Sequence, residues 1–255
     1  MGVDAGLPDF RGPQGFWQAY PAFQRLGLRF EDLASPRWFE ADPGRAWGFY
    51  GHRLELYRRT EPHDAYTILL RWARSKPAGG FVFTSNVDGL FQKAGFADEQ
   101  VVECHGSIHH LQCLSRCGIG LFAAEGQSVP VDLETVRALP PLPSCPACGG
   151  LARPAILMFG DWGFDDARTS AQEERFDCWL RGLPGAPVVV ELGAGTRIVT
   201  VRWTGERIAR HFGSTLVRIN PREASVPAPA GGFRGTGLPL GALEAVRRID
   251  ERLGG

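Results

Sequence analysis

Thr84-Ser85-Asn86-Val87-Asp88-Gly89 and Glu103-Cys104-His105-Gly106-Ser107-Ile108-His109 are the two segments on which the reading of this chain turns. Phe81-Val82-Phe83 precedes the first of them, just after Gly79-Gly80. A short apolar run bounded by turn signals predicts a fully buried strand. Asn86 and Asp88 would then project from the carboxyl end of that strand, where open α/β sheets bind their ligands. A second short run, Val101-Val102, would deliver Glu103 and His105 to the same edge. Two strand ends thus bring an amide, a carboxylate and an imidazole to one place.

These residues carry a resemblance. The pair TSNVDG and ECHGS resembles the signature of the sirtuins, NAD-dependent protein deacylases, usually written TQNIDG and ELHGS. Gly6-Leu7-Pro8-Asp9-Phe10-Arg11-Gly12 is similar to the family's G-I-P-D-F-R element. Four later cysteines match its zinc module, and Gly193 and Ile219-Asn220 fall where its later NAD-binding elements fall. The likeness runs from Met1 to Pro221 and is that of a bacterial-like member.

The resemblance implies a reaction and assigns its residues. The activity is NAD-dependent removal of an acyl group, such as acetyl, from protein lysine, yielding nicotinamide and O-acyl-ADP-ribose. His105 takes the place of the general base, which deprotonates a ribose hydroxyl. Asn86 would orient the ribose and a water molecule, and Asp88 with Val87 would hold the nicotinamide carboxamide. The implied NAD contacts are Asp9, Phe10, Arg11, Ser85, Asn86, Asp88, Gly193, Ala194, Gly195 and Asn220. The partner is an acylated-lysine protein or peptide. His109 and His110 gain no such support and read as surface or loop residues.

Some positions depart from the family pattern. Ser85 replaces a glutamine, Cys104 a leucine, Asp161 a glutamate, and Ala194-Gly195 replace two hydroxyl residues, for which Thr196 could compensate. Cys104 reads as packing. Asp161 and Trp162 would alter the peptide cleft beside the strand of Arg153 to Phe159. The departures keep two alternatives open: an ADP-ribosyltransferase or NAD hydrolase on the same fold, or a catalytically inactive NAD-sensing zinc-ribbon adaptor.

Composition bounds the class independently. The 255 residues are 44% apolar and 22% charged, ordinary globular values with enough chain for a sizeable core. The 28 basic residues balance the 28 acidic ones, so no net field favours nucleic acid or anionic lipid. No apolar run approaches the ~18 residues of a membrane span. The start lacks the basic and apolar regions of a signal peptide. A cytoplasmic protein is expected, with neither nucleic acid nor membrane as partner. The GLPDFRG element normally follows a buried strand and a Gly-Ala-Gly turn, and Met1 lies inside that loop. The expectation is a truncated or misassigned start, with the upstream strand and turn restoring NAD turnover.

Cys113 and Cys117, then Cys145 and Cys148 in a Pro/Gly-rich knuckle, suit a tetrahedral zinc ribbon. Four thiolates leave no position for water, so the zinc would be structural. Residues 119 to 143 read as an exposed insertion. Trp47, Tyr50, Leu54 and Tyr57 recur at helical spacing between Arg45 and Arg59 and predict an amphipathic helix in an aromatic module. Pro62 is expected to open the next helix. Glu173 to Leu180 predicts a helix with Cys178 as a core thiol. Pro187 to Leu192 predicts a buried strand, Thr200 to His211 a helix, Thr215 to Pro221 the last strand and turn, and Leu240 to Leu253 a closing helix.

The expected fold class is α/β: a Rossmann-like parallel-sheet domain with a smaller lobe of zinc ribbon and helices. Residues 1–15, 61–107 and 151–255 would form the NAD-binding domain, 16–60 the helical module, and 108–150 the zinc-ribbon module.

Overall fold

Prolines set where several amino-terminal helices begin. The computed structural model describes residues 1–9, 13–226 and 232–254. Among the described residues six α-helices precede the first strand, the first five being α1 (Pro13–Ala19), α2 (Pro21–Arg25), α3 (Phe30–Leu33), α4 (Arg37–Ala41) and α5 (Pro43–Arg59). Proline opens α1, α2 and α5, where its missing N–H has no helical partner to lose. Asp42 caps α5, its carboxylate accepting the Arg45 N–H. Trp47, Tyr50, Leu54 and Tyr57 are buried on the predicted face of α5, against Phe16, Phe23 and Phe39 from the shorter helices. Helix α6 (Asp64–Arg74) starts after Pro62 rather than on it. His63 caps it instead, Nδ1 accepting the Ala65 N–H at 3.2 Å.

Two parallel sheets carry the larger part of the molecule. β1 (Val82–Thr84) pairs with β2 (Val101–Glu103), with Thr84 opposite Glu103. The short helix α7 (Leu90–Lys93) lies between them in sequence. An antiparallel sheet follows, built from β3 (Gly106–Cys113), β4 (Leu121–Ala123) and β7 (Ala152–Ile156). β5 (Val131–Asp132) and β6 (Arg137–Ala138) form a hairpin against α5. Helix α8 (Ala167–Arg181) covers β2. The second parallel sheet has β8 (Val188–Leu192) and β9 (Thr215–Ile219), with α9 (Thr200–Phe212) packed on both. β10 (Arg234–Leu238) completes it in the order β10-β9-β8, and α10 (Ala242–Arg252) packs on α6.

The structure departs from the sequence expectations at several places. β1 is half-buried rather than fully buried, and Val188 of β8 is 66% exposed. Among the described residues β1 and β8 each pair on one edge only, and their residues line a cavity between the sheets. β10 has no apolar alternation to announce it. Gly237 is required there because a Cβ would lie 2.1 Å from the Ala224 carbonyl oxygen. Residues 119–143 are not simply an exposed insertion: Ala124, Val129, Val136 and Ala138 are buried and join the main core. Cys178 is exposed on α8, its Sγ 3.1 Å from Arg181, because the buried face of that helix is taken by Phe176 and Leu180. Cys104 does pack, in a second core with Val102, Phe176, Leu180 and Ile208.

Candidate active site and metal centre

The chain leaving β1 is shaped by its own polar groups. Thr84 Oγ1 accepts the Asn86 N–H at 3.0 Å, and the Val87 carbonyl accepts the Ile108 N–H at 3.0 Å. Asp88 turns inward, its Oδ1 accepting the Leu90 N–H at 3.0 Å. Burial raises the Asp88 pKa, the Leu90 N–H opposes that rise, and the nearby Glu103 carboxylate adds to it. His109 lies beneath this loop with Nε2 2.9 Å from the Asp88 carbonyl oxygen. It is therefore a prop for the loop, not a surface residue. His110 is likewise held in β3, its buried Nδ1 without a hydrogen-bond partner and its pKa pushed down to about 4, chiefly by burial.

His105 stands two residues past the end of β2, after Cys104. Its carbonyl accepts the Leu157 N–H at 3.0 Å, and Cys104 N–H donates to Thr84. Gly106 then turns with φ +76°, and a Cβ there would sit 2.1 Å from the Ala155 carbonyl oxygen. Only glycine lets β3 start so close to β7 immediately after the imidazole.

Opposite, the turn after β8 is fastened by long-range groups. Gly193, at φ +68°, donates its N–H to the Ile219 carbonyl at 2.8 Å. The Ala194 carbonyl accepts from Arg202 Nε at 2.9 Å and Asn220 Nδ2 at 3.0 Å. Asn220 Oδ1 accepts the N–H groups of Arg222 and Glu223. Thr196 gives both its N–H and its hydroxyl to Glu223. Both donors that Thr196 could offer in place of the missing hydroxyls are thus engaged by a neighbouring carboxylate.

A cavity of about 1170 Å³ joins these two regions. Ser85, Asn86, Asp88 and His105 line one side, and Gly193, Ala194 and Asn220 the other. Asp9 lines it too, its carboxylate accepting from Arg222 at 3.2 Å. Gly195 lies outside the lining, beside the Glu223 carboxylate. Phe10 and Arg11 fall outside the described residues.

One feature, Arg53, was missed from the sequence, and another, Asp161, lies elsewhere than expected. Arg53, only 6% exposed, stands in the cavity wall and donates to the Tyr57 hydroxyl, with the rings of Phe49, Tyr50 and Tyr57 around its guanidinium. Its helical spacing from Tyr50 and Tyr57 was the available signal. Asp161 does not face the cleft. It pairs with Arg153 in a buried ion pair and accepts the N–H groups of Met158 and Gly163, shaping the exposed turn of Leu157, Phe159 and Trp162 from beneath.

The Sγ atoms of Cys113, Cys117, Cys145 and Cys148 lie within 4.8 Å of one another. Cys113–Cys148 is 3.6 Å and Cys117–Cys145 3.5 Å. Backbone N–H donation, first from Cys117, lowers the Cys113 pKa and favours its thiolate. An all-sulfur set at this separation fits a tetrahedral zinc with Zn–S of about 2.3 Å. The cavity likewise fits an extended dinucleotide, with a glycine turn at one end and a polar strand end at the other.

Parallel strands that converge on such a cavity, in a chain that also carries a four-cysteine zinc site, define a nucleotide-binding α/β protein with a structural metal. More narrowly, the profile of the Sir2 family matches residues 1–178, and the chain belongs to that family. It is 32% identical to an NAD-dependent protein deacylase of Methylococcus capsulatus, over 97% of this chain and 89% of the relative. A second NAD-dependent protein deacylase, from Aeropyrum pernix, is 30% identical over 100% of this chain and 89% of its own. Among solved structures, a mutant Sir2 homologue in complex with 2'-O-acetyl ADP ribose superposes with TM-score 0.71 at 26% identity, covering 99% of this chain and 87% of that one. A Sir2 homologue in complex with NAD matches with the same TM-score at 25% identity, covering 99% and 85%.

Proposed function

We propose that this chain removes acyl groups from protein lysine at the expense of NAD, releasing nicotinamide and O-acyl-ADP-ribose. The observation that carries the reading is the single cavity uniting Asn86, Asp88 and His105 with Gly193, Ala194 and Asn220 in a Sir2-family chain. NAD, when bound, supplies an electrophilic ribose carbon and nicotinamide as leaving group. Asp88 and Ser85 would hold the nicotinamide end, Asn86 the ribose, and the Gly193 turn with Asn220 the adenosine end. His105 takes a proton from a ribose hydroxyl at an imidazole nitrogen, a role suited to a group whose ordinary pKa is near ~6.5. Leu157 and Phe159, 42% and 47% exposed at the cavity, offer apolar surface to an acylated lysine. No described helix is long and apolar enough to cross a membrane. We place the chain's action in the cytoplasm, on protein substrates. The larger nucleotide-binding part (1–15, 61–107, 151–255) and the two modules would meet around the cleft.

Product analysis with acyl-peptide tests the reading. The expected products are nicotinamide and O-acyl-ADP-ribose in equal amounts. Free or transferred ADP-ribose would instead mark a hydrolase or transferase, and intact NAD an inactive binder. His105→Ala is expected to lower turnover ~10²–10⁴-fold while NAD binding persists; near wild-type turnover would remove His105 from the mechanism.

A further inference from the structure

His105 stands two residues beyond the end of β2, and that end is held from outside the cavity by one helix. α8 presents Arg168, Thr169 and Gln172 toward β2, Gln172 lying three residues after Thr169 and four after Arg168, the spacing of helical neighbours. All three bond to Glu103. Arg168 Nη1 donates to Glu103 Oε2 at 2.6 Å, and Thr169 Oγ1 donates to the Glu103 carbonyl at 3.3 Å. Gln172 Oε1 accepts the Glu103 N–H at 3.1 Å. The outward N–H and C=O of this residue, which a further strand would otherwise take, are thus both taken by side chains of α8. Glu103, Thr169 and Gln172 are buried, and none of the four residues lines the cavity that His105 lines.

Packing alone gives no reason for this arrangement. Glu103 Oε1 is buried without a hydrogen-bond partner. An incompletely satisfied buried carboxylate is costly, and apolar residues of similar volume would close the same contact at lower cost. What the polar contact adds is register. It fixes residue 103 along the strand axis while Thr84 and Leu157 fix Cys104 and His105 from the two sides. Placement matters because a shift of about 1 Å in a reacting group can cost roughly 10²-fold in rate.

We infer that Arg168, Thr169 and Gln172 are positioning residues for His105, acting through Glu103. The inference rests on the reading of His105 as the base. Gln172→Met removes the acceptor at near-constant volume, Thr169→Val removes only a hydroxyl, and Arg168→Met is compared with the conservative Arg168→Lys. The whole chain is assayed for kcat, KM for NAD, NAD affinity by calorimetry and melting temperature. Expected is a fall in kcat of about 10-fold or more for Gln172→Met and Arg168→Met, by the placement argument above. KM and affinity for NAD should stay within about twofold, and Arg168→Lys should recover most of the loss. If Gln172→Met does not fold, Thr169→Val carries the test, with a several-fold loss of kcat expected. Variants that melt earlier yet turn over like wild type would overturn the inference, reducing α8 to a structural cover. His105→Ala run in parallel separates the two readings. If it stays active, the base assignment falls; if it is inactive while the α8 variants keep wild-type kcat, the positioning inference alone falls.

Discussion

Burial of Asp88 beside Glu103 sets a pH dependence that a single substitution can expose. Its folded pKa is raised, so the folded state prefers the protonated form. The stability that preference gives is fully present below the unfolded value of 3.8 and is lost as pH rises through the folded value. Asp88→Asn keeps an acceptor for the Leu90 N–H and never ionises. It should melt higher than wild type at pH 7, the gap closing as pH falls toward 3.8, while turnover declines. Melting curves across pH check this, and coincident curves at pH 7 would refute it. Asp161→Ala has the opposite sign. It strands Arg153, whose side chain is 3% exposed, and should cost about 3–5 kcal/mol in denaturant unfolding. Both carboxylates stand out in the sequence, and Asp88 was expected at the cavity, but the pairing of Asp161 with Arg153 was not readable there.

Glycines of α5 decide whether a helix and a hairpin can meet. A Cβ at Gly48 would lie 2.1 Å from the Val136 carbonyl oxygen, a backbone atom that cannot swing away. At Gly44 the nearest atom is the end of the Arg137 side chain, at 3.2 Å. Alanine gains about 1 kcal/mol of helix propensity at either site. At Gly44 that gain should stand; at Gly48 a clash worth about 1–3 kcal/mol should exceed it. Thermal unfolding of Gly44→Ala and Gly48→Ala should therefore move in opposite directions. The helix itself was legible from its aromatic spacing. Its partner was not, since β5 and β6 are two residues each and carry almost no periodic signal.

At the scale of the molecule, β3 connects the two chemistries. It begins at Gly106, next to His105, and ends at Cys113, one of the four thiols. Metal loss should therefore loosen the strand that follows the proposed base. Elemental analysis is expected to find one zinc per chain. Cys145→Ser should lower zinc content, melting temperature and turnover together, because binding energy at a structural zinc site is folding energy. Wild-type stability without zinc would dismiss the assignment.

The sequence by itself determined what depends on near neighbours. The strand ends carrying Asn86, Asp88 and His105, the paired cysteines and the periodic helices are all local patterns, set by a few residues and their spacing. Tertiary structure alone decided what depends on distant groups. It turned Asp161 from the cleft to Arg153, put His109 under the Asp88 loop, gave Thr196 to Glu223, and set α8 against Glu103. The reason is physical. A side chain's hydrogen-bond partner is whichever complementary group packing brings within about 3 Å, and sequence spacing does not fix that distance across a fold.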